Sequence, residues 1–233
     1  MTLPNRLALF DLDHTLLPLD SDYQWADFLA RTGRAGDPVE ARRRNDELML
    51  RYNEGRLTAE QAAEFMLGLL AGHDPQVLQA WHQEFMAEVI EPAITAQARE
   101  LVDRHLQAGE LCALVTATNS FVTAPIARAF GLPTLIATDP EFVGNRYTGR
   151  IAGTPSFQAG KVIRVQAWLQ GLGASLRDFE QSRFYSDSIN DLPLLEAVSH
   201  PVAANPSPAL LEIAQARGWP VLTLFSELED YKS

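Results

Sequence analysis

Leu7-Ala8-Leu9-Phe10-Asp11-Leu12-Asp13-His14-Thr15-Leu16 begins as four unbroken apolar residues and then presents two carboxylates two positions apart. A strand covered by helices on both faces has this uninterrupted apolar character. In α/β sheets the carboxyl ends of such strands are where ligands bind. A carboxylate is costly to desolvate alone, so the pair invites a hard cation that prefers oxygen ligands, such as Mg²⁺. On the pair alone, an Asp-rich turn after a strand remains an alternative.

Other apolar runs extend the pattern: Leu111–Val115, Thr134–Ala137, Arg183–Ser186, Val202–Ala204 and Val221–Phe225. Between them lie helical periodicities at Ala96–Ala108, Ala124–Phe130, Lys161–Gln170 and Pro208–Ala216, the last preceded by Ser207 as a candidate N-cap. Strands alternating with helices predict an α/β fold, a Rossmann-like and mostly parallel sheet. Residues 17–91 break the rhythm. Thr58-Ala-Glu-Gln61 has capping-box spacing, and Ala62, Phe65, Met66, Leu69 and Leu70 recur at helical intervals. Asp74-Pro75 opens a further helix carrying Leu78, Trp81, Phe85 and Met86 on one face, with Pro92 predicted to end it. The expected organisation is an all-helical cap, 17–91, inserted into a core made of 1–16 and 92–233.

Composition excludes several classes. The chain has 233 residues, 46% of them hydrophobic, and a formal net charge of −11 from 19 basic and 30 acidic side chains. There is enough apolar material to bury, so disorder is not the main state. No run approaches the roughly 20 apolar residues of a membrane span. The acidic balance argues against nucleic acid as a partner, and the single cysteine, Cys112, excludes a disulfide framework. The start, Met1-Thr-Leu-Pro-Asn-Arg6, lacks the features of a signal peptide, so a cytoplasmic protein, monomer or homodimer, is expected.

Three further segments join the first pair. Tyr185-Ser-Asp187-Ser-Ile-Asn190-Asp191 again ends a strand in acidic groups, where a helix starts at Leu192. A helix cap explains one such residue but not three in five. Val115-Thr116-Ala117-Thr118-Asn119-Ser120 ends a strand in a hydroxyl and small residues, a turn that can offer N–H groups to an anion. Lys161 follows the loop Gly153–Gly160 and, taken alone, reads as a solvated surface lysine. In this order the four segments resemble the haloacid dehalogenase superfamily of phosphohydrolases, in its phosphoserine-phosphatase-like subfamily with a helical cap. The likeness covers nearly the whole chain: Asp11-Leu-Asp13-His-Thr15, Thr116, Lys161, and the pair Asp187 and Asp191 match the four family motifs.

The resemblance implies a Mg²⁺-dependent phosphomonoesterase acting on a small phosphorylated metabolite. Asp11 would be the nucleophile that forms an aspartyl-phosphate, and Asp13 the general acid and base. Mg²⁺ would be held by Asp11, the backbone carbonyl of Asp13 and Asp187, with Asp191 in support. Thr116, the N–H at Ala117, Lys161 and Asn190 would hold the phosphoryl oxygens. In relatives acting on phosphoserine, an acidic residue after the first motif binds the amino group, and Asp20 stands at a comparable distance, with Asp22 and Asp27 nearby. The cap arginine that grips the substrate carboxylate is replaced by Met66, flanked by Glu64 and Phe65. An amine-bearing ester without a carboxylate, such as histidinol phosphate, is therefore expected; phosphoserine hydrolysis, phosphoryl transfer to an alcohol and non-catalytic binding are the alternatives. His14 is expected to orient its loop, and His73, His82, His105 and His200 show no ligand spacing. Cys112 is expected to be buried and inert, Arg42-Arg43-Arg44 to be a solvated helix face, and Trp81 and Phe85 to be cap core.

Overall fold

The computed structural model describes residues 3–54 and 56–225. Its centre is β1 (Arg6–Phe10), flanked by β2 (Leu111–Asn119) and β5 (Gln181–Ser186). With β3 (Leu135–Val143), β4 (Arg146–Ala152), β6 (His200–Ala204) and β7 (Val221–Leu222) these form one sheet, ordered β4-β3-β2-β1-β5-β6-β7. Neighbours are parallel except β3 and β4. Side chains alternate across each strand. On β1, Ala8 and Phe10 therefore enter one buried cluster, with Leu114, Val122 and Ile126, while Leu7 and Leu9 enter another, with Val165, Leu169 and Phe184. From β1 the chain winds outward through β2 and β3, then returns to the other side of β1 at β5. Asp11 and Asp187 follow the two strands at this switch point.

The antiparallel hairpin β3–β4 is absent from the sequence reading above. Its turn, Gly144-Asn145, has φ of 57° and 63°, the signature of a type I′ turn. The Gly-Asn dipeptide itself was the available signal. The parallel α/β architecture with helices inserted after β1 is as the sequence implied.

The insertion begins with α1 (Ser21–Arg31), α2 (Pro38–Asn53), α3 (Ala59–Gly68) and α4 (Pro75–Phe85). Thr58 and Gln61 form the capping box, and Asp74 caps α4 with Pro75 in its first turn. The helix predicted to end at Pro92 runs through a π-turn, Met86–Ile90, into the three-residue α5 (Glu91–Ala93) and ends there, one residue past Pro92. The wide turn lets the Glu91 N–H reach the Met86 carbonyl, and Pro92 then falls in a first helical turn, where no N–H is needed. α6 (Ala96–Gln107) leads into β2; α7 (Ser120–Ala129), α8 (Ala159–Gly171), α9 (Leu192–Ala197) and α10 (Pro208–Arg217) cross over between later strands. Ser207 precedes α10 but makes no side-chain cap. Arg42, Arg43 and Arg44 form exposed ion pairs with Asp27, Glu40 and Glu47. Cys112 is buried, and burial pushes its thiol up to about 12. Among the described residues no helix is long and apolar enough to cross a membrane.

Helix α4 is bound to the core by His82. Its ring packs between Trp25, Phe85 and Phe121, and Nε2–H donates to the Val122 carbonyl at 2.9 Å. Burial holds this imidazole down at about 4. The unfolded chain, with an ordinary value of 6.5, binds more protons between those limits. This contribution to stability is therefore complete above pH 6.5 and is lost as pH falls toward 4, by about 3 kcal/mol at most. His82→Gln keeps an N–H donor that does not titrate. Urea unfolding of both proteins from pH 7.5 to 4 should give a shallower loss for the variant; parallel curves would remove His82 as a source of acid lability.

Candidate active site

Loop 153–158 and the start of α8 deliver Lys161. Gly160 lets that loop fold back on the helix, since a Cβ there would lie 2.1 Å from the Pro155 carbonyl oxygen. Far from being a solvated surface group, Lys161 is 2% exposed. Its Nζ donates to Asp11 Oδ1 and to Asp191 Oδ2, both at 2.7 Å. Burial alone would lower this ammonium, but the charges of Asp11 and Asp191 and their hydrogen bonds raise it, so it stays protonated.

Thr15, named in the first motif but not among the expected ligands, joins the two acidic loops. Its Oγ1 lies 3.0 Å from Asp11 Oδ2 and 3.3 Å from Asp187 Oδ1, and it accepts the Asp187 N–H at 3.0 Å. Asp191 also accepts from the Ser186 hydroxyl at 2.7 Å. Two carboxylates thus share one ammonium, and the third, Asp187, is held by Thr15 instead. Burial, then the charges of Asp11 and Asp191, push the Asp187 carboxyl up to about 8. Burial also raises Asp11, and raises Asp191 to about 6, in spite of Lys161.

Asp13 points elsewhere. Its Oδ2 accepts the Thr118 hydroxyl at 2.7 Å and its Oδ1 the Ser21 N–H at 2.8 Å. Burial, then the charge of Asp20, push it up to about 6. Among the described residues no group of three or more His, Cys, Asp or Glu side chains is placed to hold a metal, and the expected role of Asp13 toward Mg²⁺ falls to its backbone carbonyl, not its side chain. Asp13 is turned to Thr118 and Ser21, and Asp191 is engaged by Lys161 and Ser186. The two oxygen donors that Thr15 draws together, Asp11 and Asp187, still fit Mg²⁺. They are hard ligands with more negative charge than Lys161 offsets, and Mg²⁺ commonly binds through one or two carboxylates and otherwise keeps water.

The end of β2 supplies the remaining groups. Its pairing with β3 is irregular between Val115 and Asn119, and Thr116 to Thr118 occupy this stretch at the sheet edge. Buried Thr116 accepts the Thr118 N–H through Oγ1 at 3.2 Å, and Ala117 is half-buried. Asn190 accepts from Gln158 Nε2 at 3.2 Å. Asp20 caps α1, with Oδ1 accepting the Tyr23 N–H at 2.8 Å. Asp22, which the sequence marked only as a neighbour of Asp20, accepts from Asn119 Nδ2 at 2.8 Å. Burial, then the charges of Asp20 and Asp13, raise Asp22 well above the usual carboxylate range. Thr118 and Asn119 were legible only as small polar residues after a strand. His14 is exposed, with a φ of 57°. A cleft of about 820 Å³ lies apart from this cluster, against α4 and α7, lined by His82, Met86, Phe121, Arg128 and Tyr147 among others.

Known proteins share this arrangement of sequence and fold. The family model of haloacid dehalogenase-like hydrolases matches residues 8–196. The chain belongs to that family. It is 41% identical over 217 residues to a histidinol-phosphatase of Neisseria meningitidis serogroup C (strain 8013), covering 93% of this chain and 97% of that one. A crystal structure of a Bordetella pertussis Tohama I protein of unknown function superposes with a TM-score of 0.93 at 74% identity, over 95% of this chain and 99% of the other. A substrate-bound phosphoserine phosphatase shares the fold, with a TM-score of 0.66 at 18% identity over 93% and 91% of the two chains. This chain is a phosphatase of the haloacid dehalogenase type, a family that generally uses Mg²⁺.

Removing Lys161 strands two buried carboxylates. Lys161→Met should cost about 3–5 kcal/mol at neutral pH, and the cost should shrink as pH falls, because a protonated carboxyl needs no counter-ion. Denaturant unfolding at pH 7.5 and 5 measures both. A variant as stable as its parent at pH 7.5 would show that the ion pairs do not hold the site together.

Proposed function

We propose that this phosphatase hydrolyses histidinol phosphate, with Asp11 as nucleophile and Asp13 as proton carrier. The observation that carries the mechanism is the placing of Asp11. It ends the central strand with one oxygen on Lys161 and the other on Thr15, beside a second carboxyl, Asp13, whose value of about 6 suits proton transfer near neutrality.

An Asp11 oxygen attacks phosphorus while the ester P–O bond breaks, and Asp13 gives its proton to the departing alkoxide. Water then attacks the aspartyl-phosphate, Asp13 takes back a proton, and the Asp11–phosphorus link breaks to release phosphate. Mg²⁺ held by Asp11, the Asp13 carbonyl and Asp187 would supply the charge that lets an anionic carboxylate approach a phosphate dianion. Thr116, the N–H at Ala117, Lys161 and Asn190 would hold the equatorial oxygens, Lys161 carrying the full positive charge among them. Residues 17–91 act as the cap, with the start of α1 standing over the carboxyl edge through the Ser21–Asp13 and Asp22–Asn119 hydrogen bonds.

The substrate assignment draws on the Neisseria relative and on the acidic side chains around Asp13. Asp20 leaves one oxygen uncommitted by the cap bond, and Asp22 stands nearby, so a cationic amine finds negative charge here. A substrate carboxylate finds the opposite. Met66 is buried, and α3 carries no basic residue that would receive it.

Asp11→Asn should lower turnover by on the order of 10³-fold or more with the fold retained. Chelator should abolish the activity of the parent, and Ca²⁺ should inhibit it, because Ca²⁺ tolerates bidentate carboxylates and would occupy both oxygens of the nucleophile. Phosphate release that persists in chelator, or in Asp11→Asn at a tenth of the parental rate, would overturn the mechanism. In steady-state kinetics histidinol phosphate should exceed phosphoserine and an uncharged sugar phosphate in kcat/KM, with the margin narrowed by Asp20→Ala and Asp22→Ala. If phosphoserine ranked first, or neither variant narrowed the margin, the amine assignment would be wrong.

A further inference from the structure

At the carboxyl end of β6 the chain turns through Asn205-Pro206-Ser207, of which only Ser207 was read above, as a candidate helix cap. Asn205 has a φ of 46°, in the left-handed region that Asn enters more readily than most residues. Its side-chain amide and its backbone N–H are all engaged. Nδ2 donates to the carbonyls of His14 and Thr15, each at 3.1 Å. Oδ1 accepts the Leu224 N–H at 2.6 Å, and its own N–H donates to the Leu222 carbonyl at 2.8 Å. Two residues later the Ser207 N–H donates to the Asp187 carbonyl at 2.8 Å.

One turn therefore grips both acidic loops. The loop after β1 is held by its His14 and Thr15 carbonyls, and the loop after β5 by the carbonyl of Asp187 itself. Between those anchors the Thr15 hydroxyl spans Asp11 and Asp187. A displacement of the Thr15 backbone would carry that hydroxyl with it and change the separation of the two carboxylates. We propose that Asn205 is a positioning residue: its side-chain amide, with the Ser207 N–H, sets the spacing of Asp11 and Asp187 on which phosphoryl transfer depends. The inference rests on the roles proposed above for those two residues.

Two variants separate this role from simple support of the chain end. Asn205→Asp keeps an acceptor for Leu224 and tolerance of a positive φ, but turns oxygens instead of N–H donors toward the two carbonyls. Asn205→Gly keeps the backbone conformation and removes the side chain. For each, Tm, the kcat and KM for histidinol phosphate, and Mn²⁺ binding by calorimetry without substrate are measured. Both variants should lose kcat by about 10- to 100-fold with little change in KM, and bind Mn²⁺ about tenfold more weakly. A turn that served stability alone would lower Tm in Asn205→Gly while Asn205→Asp kept parental kcat and Mn²⁺ affinity, and that result overturns the proposal. Should Asn205→Asp fail to fold, Asn205→Gly decides on the same two readouts. A parent inactive on every phosphomonoester would refute the functional reading instead. The Mn²⁺ isotherms would still judge the clamp, weaker binding supporting it and unchanged binding overturning it.

Discussion

The ammonium of Lys161 has almost no water around it, and two carboxylates from distant parts of the chain close on it at 2.7 Å. A buried charge of this kind is tolerated only when paired and hydrogen-bonded, so Asp11, Asp191 and Lys161 depend on one another for their ionised forms. Neighbouring features serve that contact. Gly160 brings the lysine in against its own loop, Ser186 occupies part of Asp191, and Phe184 lies 5.7 Å beneath the ammonium. Well-packed apolar residues often replace buried ion pairs at no loss of stability. Retaining one at the sheet switch point is therefore better explained by the chemistry required there than by stability.

Around this contact the protein gathers negative charge. Asp187 has no lysine of its own, the charge of Asp20 helps to raise Asp13, and the charges of Asp20 and Asp13 help to raise Asp22. The parallel sheet explains how such a concentration arises, because it directs the ends of β1, β2 and β5 to one edge while the two apolar clusters hold the strands from either face. The strain of assembling like charges is thus borne by the whole core rather than by the loops that display them.

Much of this was legible in the residues. The apolar run ending in Asp11 located the central strand, and the ordered segments at Thr116, Lys161 and Asp187 named the elements that meet at it. Local chemistry was read well where one residue type has one dominant role, as with the Thr58–Gln61 box and Asp74-Pro75. It was read badly where distant partners decide. Lys161 has no sequence mark of burial, and the rotation of Asp13 toward Thr118 depends on a side chain 105 positions away. The hairpin was missed because its strands are half-exposed and carry Pro140 and Gly149, which mask the alternation. Asn205 escaped because its role lies in hydrogen bonds to carbonyls, which leave no pattern in the sequence around it.

That hairpin also touches the helical insertion in an unusual way. A Cβ at Gly149 of β4 would lie 3.4 Å from the Cα of Gly68 at the end of α3, and 3.5 Å from the Cβ of Ala71. Backbone thus meets backbone there, with no long side chain of either partner lodged in the other. Close backbone packing of this kind leaves no room beyond a Cβ at position 149, so the distance between α3 and the hairpin is set by the glycine itself. A bulky residue at position 149 would be strained by its φ of 84° and would wedge α3 away from the sheet edge.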